Sequence, residues 1–173
     1  MNVDFNNFDN KADFHWGETN LQAELMQTLE VGNSTLFFCI EGSATILLYN
    51  KKHTFRKGDI LIANWDMHPV FLSMSKNFST YFCKMSDDIF YEIFRNVSST
   101  FCQFTYNYPI FKLTKEQSHQ HKIWKEQLVW LYENYNGNNR KQLIINYFQS
   151  LILIVDNEIL KITPILSLKA MPR

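Results

Sequence analysis

The chain has no excess of either charge, because 17 lysines and arginines are balanced by 17 aspartates and glutamates. A segment that holds nucleic acid by itself normally carries a basic excess, since neutralised phosphates supply most of its non-specific affinity. The charge balance therefore predicts that these 173 residues do not contact DNA directly.

Long apolar runs are also missing. No stretch approaches the roughly 18 consecutive apolar residues that mark a membrane-spanning helix. Residues 1–13 are rich in Asn and Asp and lack the apolar centre of a secretory signal. These two absences predict a cytoplasmic protein without a membrane partner.

Cysteine is scarce, with single residues at Cys39, Cys83 and Cys102. The three are widely spaced and lie inside apolar runs, which favours buried, reduced thiols over a disulfide framework or a metal site. A hydrophobic content of 46%, with 16% aromatic residues, excludes a disordered chain. The length suits one domain with a real core.

Short apolar and aromatic runs fill residues 36–85, and turn residues separate them. Residues 36–41 precede Gly42, and residues 43–49 precede Asn50. Runs of this kind predict about six or seven antiparallel strands, whose regular spacing favours a sandwich or a barrel. Residues 1–31 show only weak hydrophobic patterning, which predicts an N-terminal arm. We expect the aromatic side chains of this arm to pin it to the rest of the domain.

The hydrophobic period changes after these strands. Ser86 and the two aspartates that follow it predict a short helix near 87–95. Residues 101–113 are aromatic, contain Pro109 and indicate an extended segment. A capping box at Thr114 then opens the first of two long helices within residues 114–161.

The apolar face of the second long helix is too broad for a helix that lies on one surface. A symmetric dimer through both helices would cover it, and an intramolecular hairpin buried on both sides is the alternative. The predicted dimer interface consists of Trp124, Leu128, Leu131, Ile144, Phe148, Leu151 and Val155.

Residues that could support catalysis or bind a metal form no familiar pattern. His119 and His121 are spaced like a metal-binding pair, but helical side chains two apart diverge by about 200° and cannot share one ion. His68 lies between two predicted strands, where a ligand contact or weak metal site competes with a structural role. No P-loop, Rossmann glycine pattern, nucleophile elbow or Cys-x-x-Cys pair occurs. We therefore expect neither enzymatic activity nor a cofactor.

Strand alternation suggests where a small molecule would bind. If Glu41 points outward, Phe38 and Ile40 point into the barrel. Aromatic and small polar groups near a barrel mouth suit a small-molecule pocket, and a core filled by the same residues is the alternative. The predicted ligand-binding residues are Phe38, Ile40, Trp65, His68, Tyr81 and Cys83.

The order of several segments resembles the N-terminal cupin-like domain of AraC-type bacterial transcription regulators. These segments are residues 37–46, residues 55–63, His68 and residues 84–94. The last of them is similar to the segment that leads from the barrel into a short helix in that family. The likeness spans residues 30–160, and the two long helices occupy the place of the family's dimerisation helices.

The resemblance implies a mainly β plus α fold. It comprises a cupin-like antiparallel β-barrel of the double-stranded β-helix type, followed by a C-terminal helical pair. The expected domains are an arm and barrel in residues 1–113, dimerisation helices in 114–161 and a linker stub in 162–173. The family's DNA-reading region, of about 100 residues with two helix-turn-helix motifs, is absent from this chain.

The resemblance also implies a function, namely ligand sensing and dimerisation within a transcription regulator. The expected partners are a second copy of the chain, an unknown small effector, and DNA only through the missing C-terminal region. Two alternatives remain open. One is a small cupin metalloenzyme, an isomerase or oxygenase with its metal at His68, and the other is a dimerisation module that binds no ligand.

Overall fold

The structure is a computed structural model, and it describes Phe5, residues 13–29, Val31, residues 34–64 and residues 66–169. The chain divides into two compact units. Unit 1 comprises Met1–Phe90 and Pro109–Lys115, and unit 2 comprises Tyr91–Tyr108 and Glu116–Arg173.

Unit 1 is built from two antiparallel sheets. The strands of the larger sheet are β1 (Phe14–Thr19), β2 (Ser34–Glu41), β5 (Ile60–Asn64), β7 (Ser79–Met85) and β8 (Ile110–Phe111). The strands of the smaller sheet are β3 (Ser43–Leu48), β4 (Lys51–Arg56) and β6 (Val70–Met74). Their spatial orders are β1-β7-β2-β5-β8 and β4-β3-β6. The antiparallel architecture predicted for this region is confirmed.

The core of unit 1 draws its side chains from both sheets. Phe37, Leu61 and Phe82 come from the larger sheet, and Ile46 and Phe71 come from the smaller one. All five are fully or almost fully buried. Because burying one such side chain contributes about 1.5–3 kcal/mol, this shared layer supplies much of the stability of the unit.

Positive-φ residues form the tight connections of unit 1. Tyr49 and Asn50 both have positive φ, as a two-residue turn between β3 and β4 requires. Gly42, between β2 and β3, has φ of 70°. A Cβ at Gly42 would lie 2.9 Å from the Cα of Phe78, so the position accepts no side chain without a backbone shift.

A bulge next to Gly42 changes which residues of β2 face the core. Cys39 pairs with Thr80 of β7 but Glu41 pairs with Ser79, so Ile40 is an extra residue. Glu41 is exposed, yet Cys39 lies in the core. The prediction that Phe38 and Ile40 point inward is therefore wrong, because alternation counted from Glu41 does not survive the bulge.

Part of the predicted arm is a β-strand. Residues 14–19 form β1, which pairs with β7 along its full length, from Phe14 opposite Met85 to Thr19 opposite Thr80. The weak pattern had predicted an arm pinned to the body by its aromatic side chains. The burial of Phe5, Phe14 and Trp16 agrees with the pinning, and the strand corrects the arm. The strand is hard to recognise in the sequence because FHWGET has only two large apolar residues and no β-branched residue before its last position.

The helices are α1 (Asp87–Phe94), α2 (Ser99–Asn107), α3 (Lys115–Asn134) and α4 (Arg140–Lys169). Helix α1 confirms the short helix predicted after Ser86. The extended segment expected over residues 101–113 is wrong up to residue 107, which α2 covers, but Ile110–Phe111 form the edge strand β8. The Ser98 side chain caps α2 by accepting the Phe101 N–H at 3.0 Å.

Helix α4 is the most apolar long element among the described residues. Its stretch Arg140–Lys161 is long and apolar enough to cross a membrane, although 44% of its apolar 18-residue window is buried inside the protein. The same composition is typical of a helix in the core of a folded unit. Phe148, in the middle of the stretch, packs edge-on against Trp124 of α3 at 5.2 Å.

Candidate functional site

A lysine lies inside unit 1. Strand β7 carries Lys84 on the same face as Phe82, because side chains two residues apart in a strand point to the same side. That face belongs to the core, and Lys84 is only 4% exposed. Lysine is rarely buried to this extent, since a buried charge costs free energy unless other groups compensate it.

The ring of Phe5 compensates part of that cost. The Lys84 Nζ lies 3.8 Å from the centroid of this ring. Such a cation–π contact is worth about 2 kcal/mol when both groups are removed from water. Phe5 is itself fully buried.

Further aromatic rings surround the contact. The Phe5 ring stacks on Phe37 at 5.5 Å and meets Phe82 edge-on at 5.0 Å. On β1, His15 lies opposite Lys84 in register, and its ring is 5.2 Å from that of Phe82. We refer to Phe5, His15, Phe37, Phe82 and Lys84 as the Lys84 site. An ammonium among flat apolar rings is suited to bind a small molecule with an anionic group and an apolar body.

Three of the predicted ligand-binding residues lie on the opposite face of the larger sheet. Phe38 and Tyr81 are register partners, and the Trp16 ring lies 6.4 Å and 5.7 Å from their rings. Cys83 is on the same face and is buried, while Ile40 is the bulge residue. The structure therefore brings Phe38, Tyr81 and Cys83 together, but outside the core that contains Lys84.

The other two predicted residues do not join them. His68 is exposed in the loop before β6, and Trp65 lies outside the described residues. Among the described side chains, no group of three or more His, Cys, Asp or Glu is placed to hold a metal ion.

The buried thiols of unit 1 are poor nucleophiles. Burial, together with the nearby charge of Asp59, raises the pKa of Cys39 to about 12. Burial also raises the pKa of Cys83. Because the thiolate is the reactive form, both cysteines are inert at neutral pH.

Asp59 has a structural role in the turn before β5. Its Oδ2 accepts the Arg56 N–H at 2.9 Å, and its backbone carbonyl accepts the Cys39 N–H at 3.0 Å. Burial raises the pKa of Asp59, and the Arg56 hydrogen bond opposes this shift.

The residues predicted at a dimer interface are used within one chain. Trp124 Nε1 donates to the Tyr147 carbonyl at 2.9 Å, which ties α3 to α4. The other six are buried in the single chain, namely Leu128, Leu131, Ile144, Phe148, Leu151 and Val155. Their burial and the Trp124 contacts favour the intramolecular packing that was the alternative, and the dimer interface assigned to these residues stays a prediction.

Sequence reasoning missed all five residues of the Lys84 site. One signal was present, because Lys84 is the one charged residue of β7 and lies within its apolar second half, between Tyr81 and Met85. A lysine in a strand that is otherwise buried on both sides indicates an internal charge. Phe5 is one of the aromatic residues that were predicted to pin the arm to the body, but nothing in the sequence placed it beside Lys84.

The sequence matches no protein-family model and no curated protein. Solved structures of similar fold include apo ToxT K231A from Vibrio cholerae strain SCE256, with a TM-score of 0.58 and 8% identity over 88% of this chain. They also include ToxT from Vibrio cholerae O395 bound to (E)-4-(8-methylnaphthalen-1-yl)but-3-enoic acid, with a TM-score of 0.51 and 12% identity over 85% of this chain.

The chain spans 59% and 58% of the length of these two ToxT chains. ToxT is an AraC-family regulator, and the predicted fold, the cupin-like domain of such regulators with its following helices, is confirmed. At these identities the likeness establishes a shared fold.

Proposed function

We propose that this chain is the effector-binding and dimerisation part of an AraC-type transcription regulator. The observation that carries the proposal is Lys84, an ammonium buried among aromatic rings in a fold shared with a ligand-bound regulator. Lysine is rarely buried to this depth, and a buried cation beside aromatic rings is the kind of group that recognises an anionic ligand.

The chemistry of the Lys84 site indicates the class of effector. An ammonium forms strong, charge-assisted hydrogen bonds with a carboxylate, and aromatic rings pack well against a flat apolar group. The ligand named for ToxT, a carboxylic acid with a naphthalene ring, combines the same two features. The proposed effector of this chain is therefore a small apolar carboxylate.

The proposed response is a shift between conformations. Effector binding favours one conformation of the chain over another. The size of this shift is set by the difference between the effector's affinities for the two conformations. A DNA-reading region outside this chain would report that shift, in keeping with the absence of a basic excess here. A regulator of this kind works in the cytoplasm.

The proposed dimer uses a different face of α4 from the one predicted. Leu153, Ile154 and Leu160 are 40%, 56% and 44% exposed. Covering large apolar side chains is favourable, and a second copy of the same helix offers a complementary surface.

Isothermal titration of the whole chain with a panel of small aromatic and aliphatic carboxylates tests whether the chain binds such an effector. We expect saturable binding at one site per chain, weakened at least about tenfold by Lys84→Met, because a lost charge-assisted hydrogen bond costs about 1.5–3 kcal/mol. Lys52→Met, at an exposed position of β4, is the matched control and should bind normally.

Two results would favour the alternatives. A dimer that binds no acid in the panel would indicate a module for dimerisation alone. A stoichiometric transition metal in the purified protein would indicate the metalloenzyme.

A further inference from the structure

We propose that the free edge of strand β4 binds an acidic peptide segment of another protein, which adds to the smaller sheet as an extended strand. We refer to residues 51–57, which comprise β4 and the residue after it, as the β4 edge. It belongs to the smaller sheet, whereas Lys84 lies on β7 of the larger one. The inference therefore goes beyond the proposed function and does not depend on it.

Positive charge is concentrated on the β4 edge. Residues 42–58 contain four cations and no carboxylate. The cations are Lys51, Lys52, Arg56 and Lys57, and all four are exposed. Basic and acidic residues are equal in number over the whole chain, so the remainder of the chain has an acidic excess. The basic character belongs to this element, and it suits an anionic partner.

One side of β4 is open to a further strand. The smaller sheet has the order β4-β3-β6, so β3 covers one side of β4, and none of the described strands pairs with the other side. An edge of this kind presents a row of backbone N–H and C=O groups that can pair with another chain. An extended peptide that adds to a sheet uses such a row for its affinity.

The register of the β3–β4 hairpin shows which backbone groups lie on the open side. The residues that flank its two-residue turn form a hydrogen-bonded pair, and pairs of this kind recur at every second position. Lys52, Thr54 and Arg56 lie between these pairs and direct their N–H and C=O groups away from β3. The Arg56 N–H agrees with this direction, since it donates to the Asp59 carboxylate at 2.9 Å. Lys52 and Thr54 supply the backbone groups for a new strand.

The side chains of the same three residues select for acids. Lys52, Thr54 and Arg56 alternate with Phe55, which lies in the core, so they share the outer face of the smaller sheet. Side chains directly opposite each other on paired strands have Cβ atoms about 4.5–5.5 Å apart, and opposite charges at that distance attract. A strand with glutamate at every second position would place carboxylates beside Lys52 and Arg56.

Two other occupants fit the β4 edge less well. A second copy of β4 would place cations opposite cations, which is destabilising. A nucleic acid backbone would meet the cations, but it would not pair with the outward N–H and C=O groups of Lys52 and Thr54. Lysines on an edge also oppose pairing with neutral apolar strands. The combination of strand edge and positive charge therefore favours an acidic peptide.

The probe is a peptide with blocked ends and the sequence Thr-Glu-Thr-Glu-Thr-Glu-Thr. Its glutamates lie on one face of an extended strand, whichever way the peptide runs. We expect one peptide to bind saturably per wild-type chain, measured by fluorescence anisotropy at low salt, where surface attractions are least screened. The analogue with glutamine in place of each glutamate should bind at least about fivefold more weakly, because it loses several ion pairs.

A second analogue separates strand addition from charge attraction alone. It keeps the three glutamates, but their backbone nitrogens are methylated and cannot donate to β4. We expect it to bind the wild-type chain at least about tenfold more weakly than the parent peptide, because the backbone hydrogen bonds are lost. This comparison uses only the wild-type chain, so it does not depend on how variants fold.

Thr54→Pro tests the edge without a change in charge. Proline removes the outward N–H of residue 54 and no hydrogen bond to β3, and proline is tolerated on an edge strand in this orientation. We expect the parent peptide to bind at least about tenfold more weakly, while circular dichroism shows a folded chain.

Charge reversal tests the cations. Lys52→Glu combined with Arg56→Glu should abolish binding of the parent peptide, because two attractions become repulsions. Lys122→Glu combined with Lys161→Glu is the matched control. It makes the same change in net charge at exposed positions of α3 and α4 and should leave binding unchanged.

Three results would overturn the proposal. They are equal binding of the methylated analogue, equal binding of the glutamine analogue, and no binding of the acidic peptide to wild type. If a random-sequence DNA duplex then binds through Lys52 and Arg56, the β4 edge recognises phosphates instead. A small carboxylate has no strand backbone, so Lys52 remains a suitable control in the effector titration, and neither experiment decides the other.

Discussion

Lys84 is a residue whose removal should cost binding more than stability. Lys84→Met keeps the apolar stem and removes the charge together with the cost of taking that charge out of water. We expect the free energy of unfolding, measured with urea, to change by less than about 1 kcal/mol, because the lost cation–π contact is offset by the avoided burial of charge.

Lys84→Ala is the comparison for that substitution. It also removes the stem and leaves a cavity beside Phe5 and Phe82, so we expect a loss of about 2–4 kcal/mol. A loss of the same size in Lys84→Met would mean that the ammonium holds the fold together, and the case for a binding role would fail.

Asp59 makes stability depend on pH. Its pKa is raised above the ordinary 3.8 by burial, so the folded state favours the protonated form. Its contribution is therefore fully present below pH 3.8 and is lost as the pH rises through the raised value.

Asp59→Asn removes this titration and can still accept the Arg56 N–H. We expect the stability of the variant relative to wild type to increase between pH 3.5 and pH 7, in urea unfolding at both values. An unchanged or decreasing difference would show that the carboxylate is stabilised, not destabilised, by its surroundings.

Gly42 shows how much of the local structure can be predicted from a single residue. Sequence placed a turn or bulge there correctly, and the structure has both the positive φ and the extra residue at Ile40. The facing of β2 could not be predicted in the same way, because a bulge inverts the alternation on one side of it. Phe38 was consequently predicted to face the core, whereas the structure places Phe37 there.

Gly42→Ala should destabilise unit 1 by about 1–3 kcal/mol, since φ is positive and the new Cβ would press against the Phe78 backbone. Thermal unfolding followed by circular dichroism measures the loss. Gly137→Ala is the control, because its Cβ would meet only the movable ring of Tyr135. Equal losses at both positions would contradict the strain at Gly42.

At the scale of elements, helix α2 depends on a partner distant in sequence. Asp156 of α4 is 6% exposed, and its carboxylate accepts the Ser98 N–H at 2.9 Å and the Ser98 hydroxyl at 2.6 Å. Ser98 in turn caps α2. The aromatic sequence of α2 predicted an extended segment because aromatic residues favour strands, and nothing local reveals that Asp156 supports the cap.

Asp156→Leu should therefore destabilise unit 2. The substitution leaves the Ser98 N–H without its carboxylate, and we expect a loss of about 2–4 kcal/mol in urea unfolding. Asn157→Leu, at an exposed neighbouring position, should cost less than about 0.5 kcal/mol. If the two substitutions cost the same, the carboxylate does not anchor the cap.

At the scale of the whole molecule, periodicity was sufficient to predict the antiparallel strands of residues 36–85 followed by helices, although it missed β1 and α2. The pattern could not distinguish a helix stripe buried within one chain from a stripe buried between chains. Phe148 illustrates this, since its position on α4 is compatible with both and the structure places it against Trp124. The Lys84 site was equally hidden, because Phe5 reaches it from outside any regular element.

The exposed apolar face of α4 allows the proposed dimer to be tested. If a second copy covers this face, Leu153→Glu combined with Ile154→Glu should convert a dimer into a folded monomer, because a carboxylate is costly to bury in an apolar interface. Sedimentation equilibrium reports the mass, and circular dichroism reports whether the helices persist.

Two controls separate loss of the interface from loss of the fold. Tyr106→Glu changes an equally exposed apolar side chain on α2 and should leave the dimer intact. Phe148→Glu should unfold unit 2, since it places a charge in the core instead of at the interface. If the double variant on α4 stays dimeric while Phe148→Glu gives a folded monomer, the buried stripe is the true interface, and the hairpin seen in one chain opens when two chains associate.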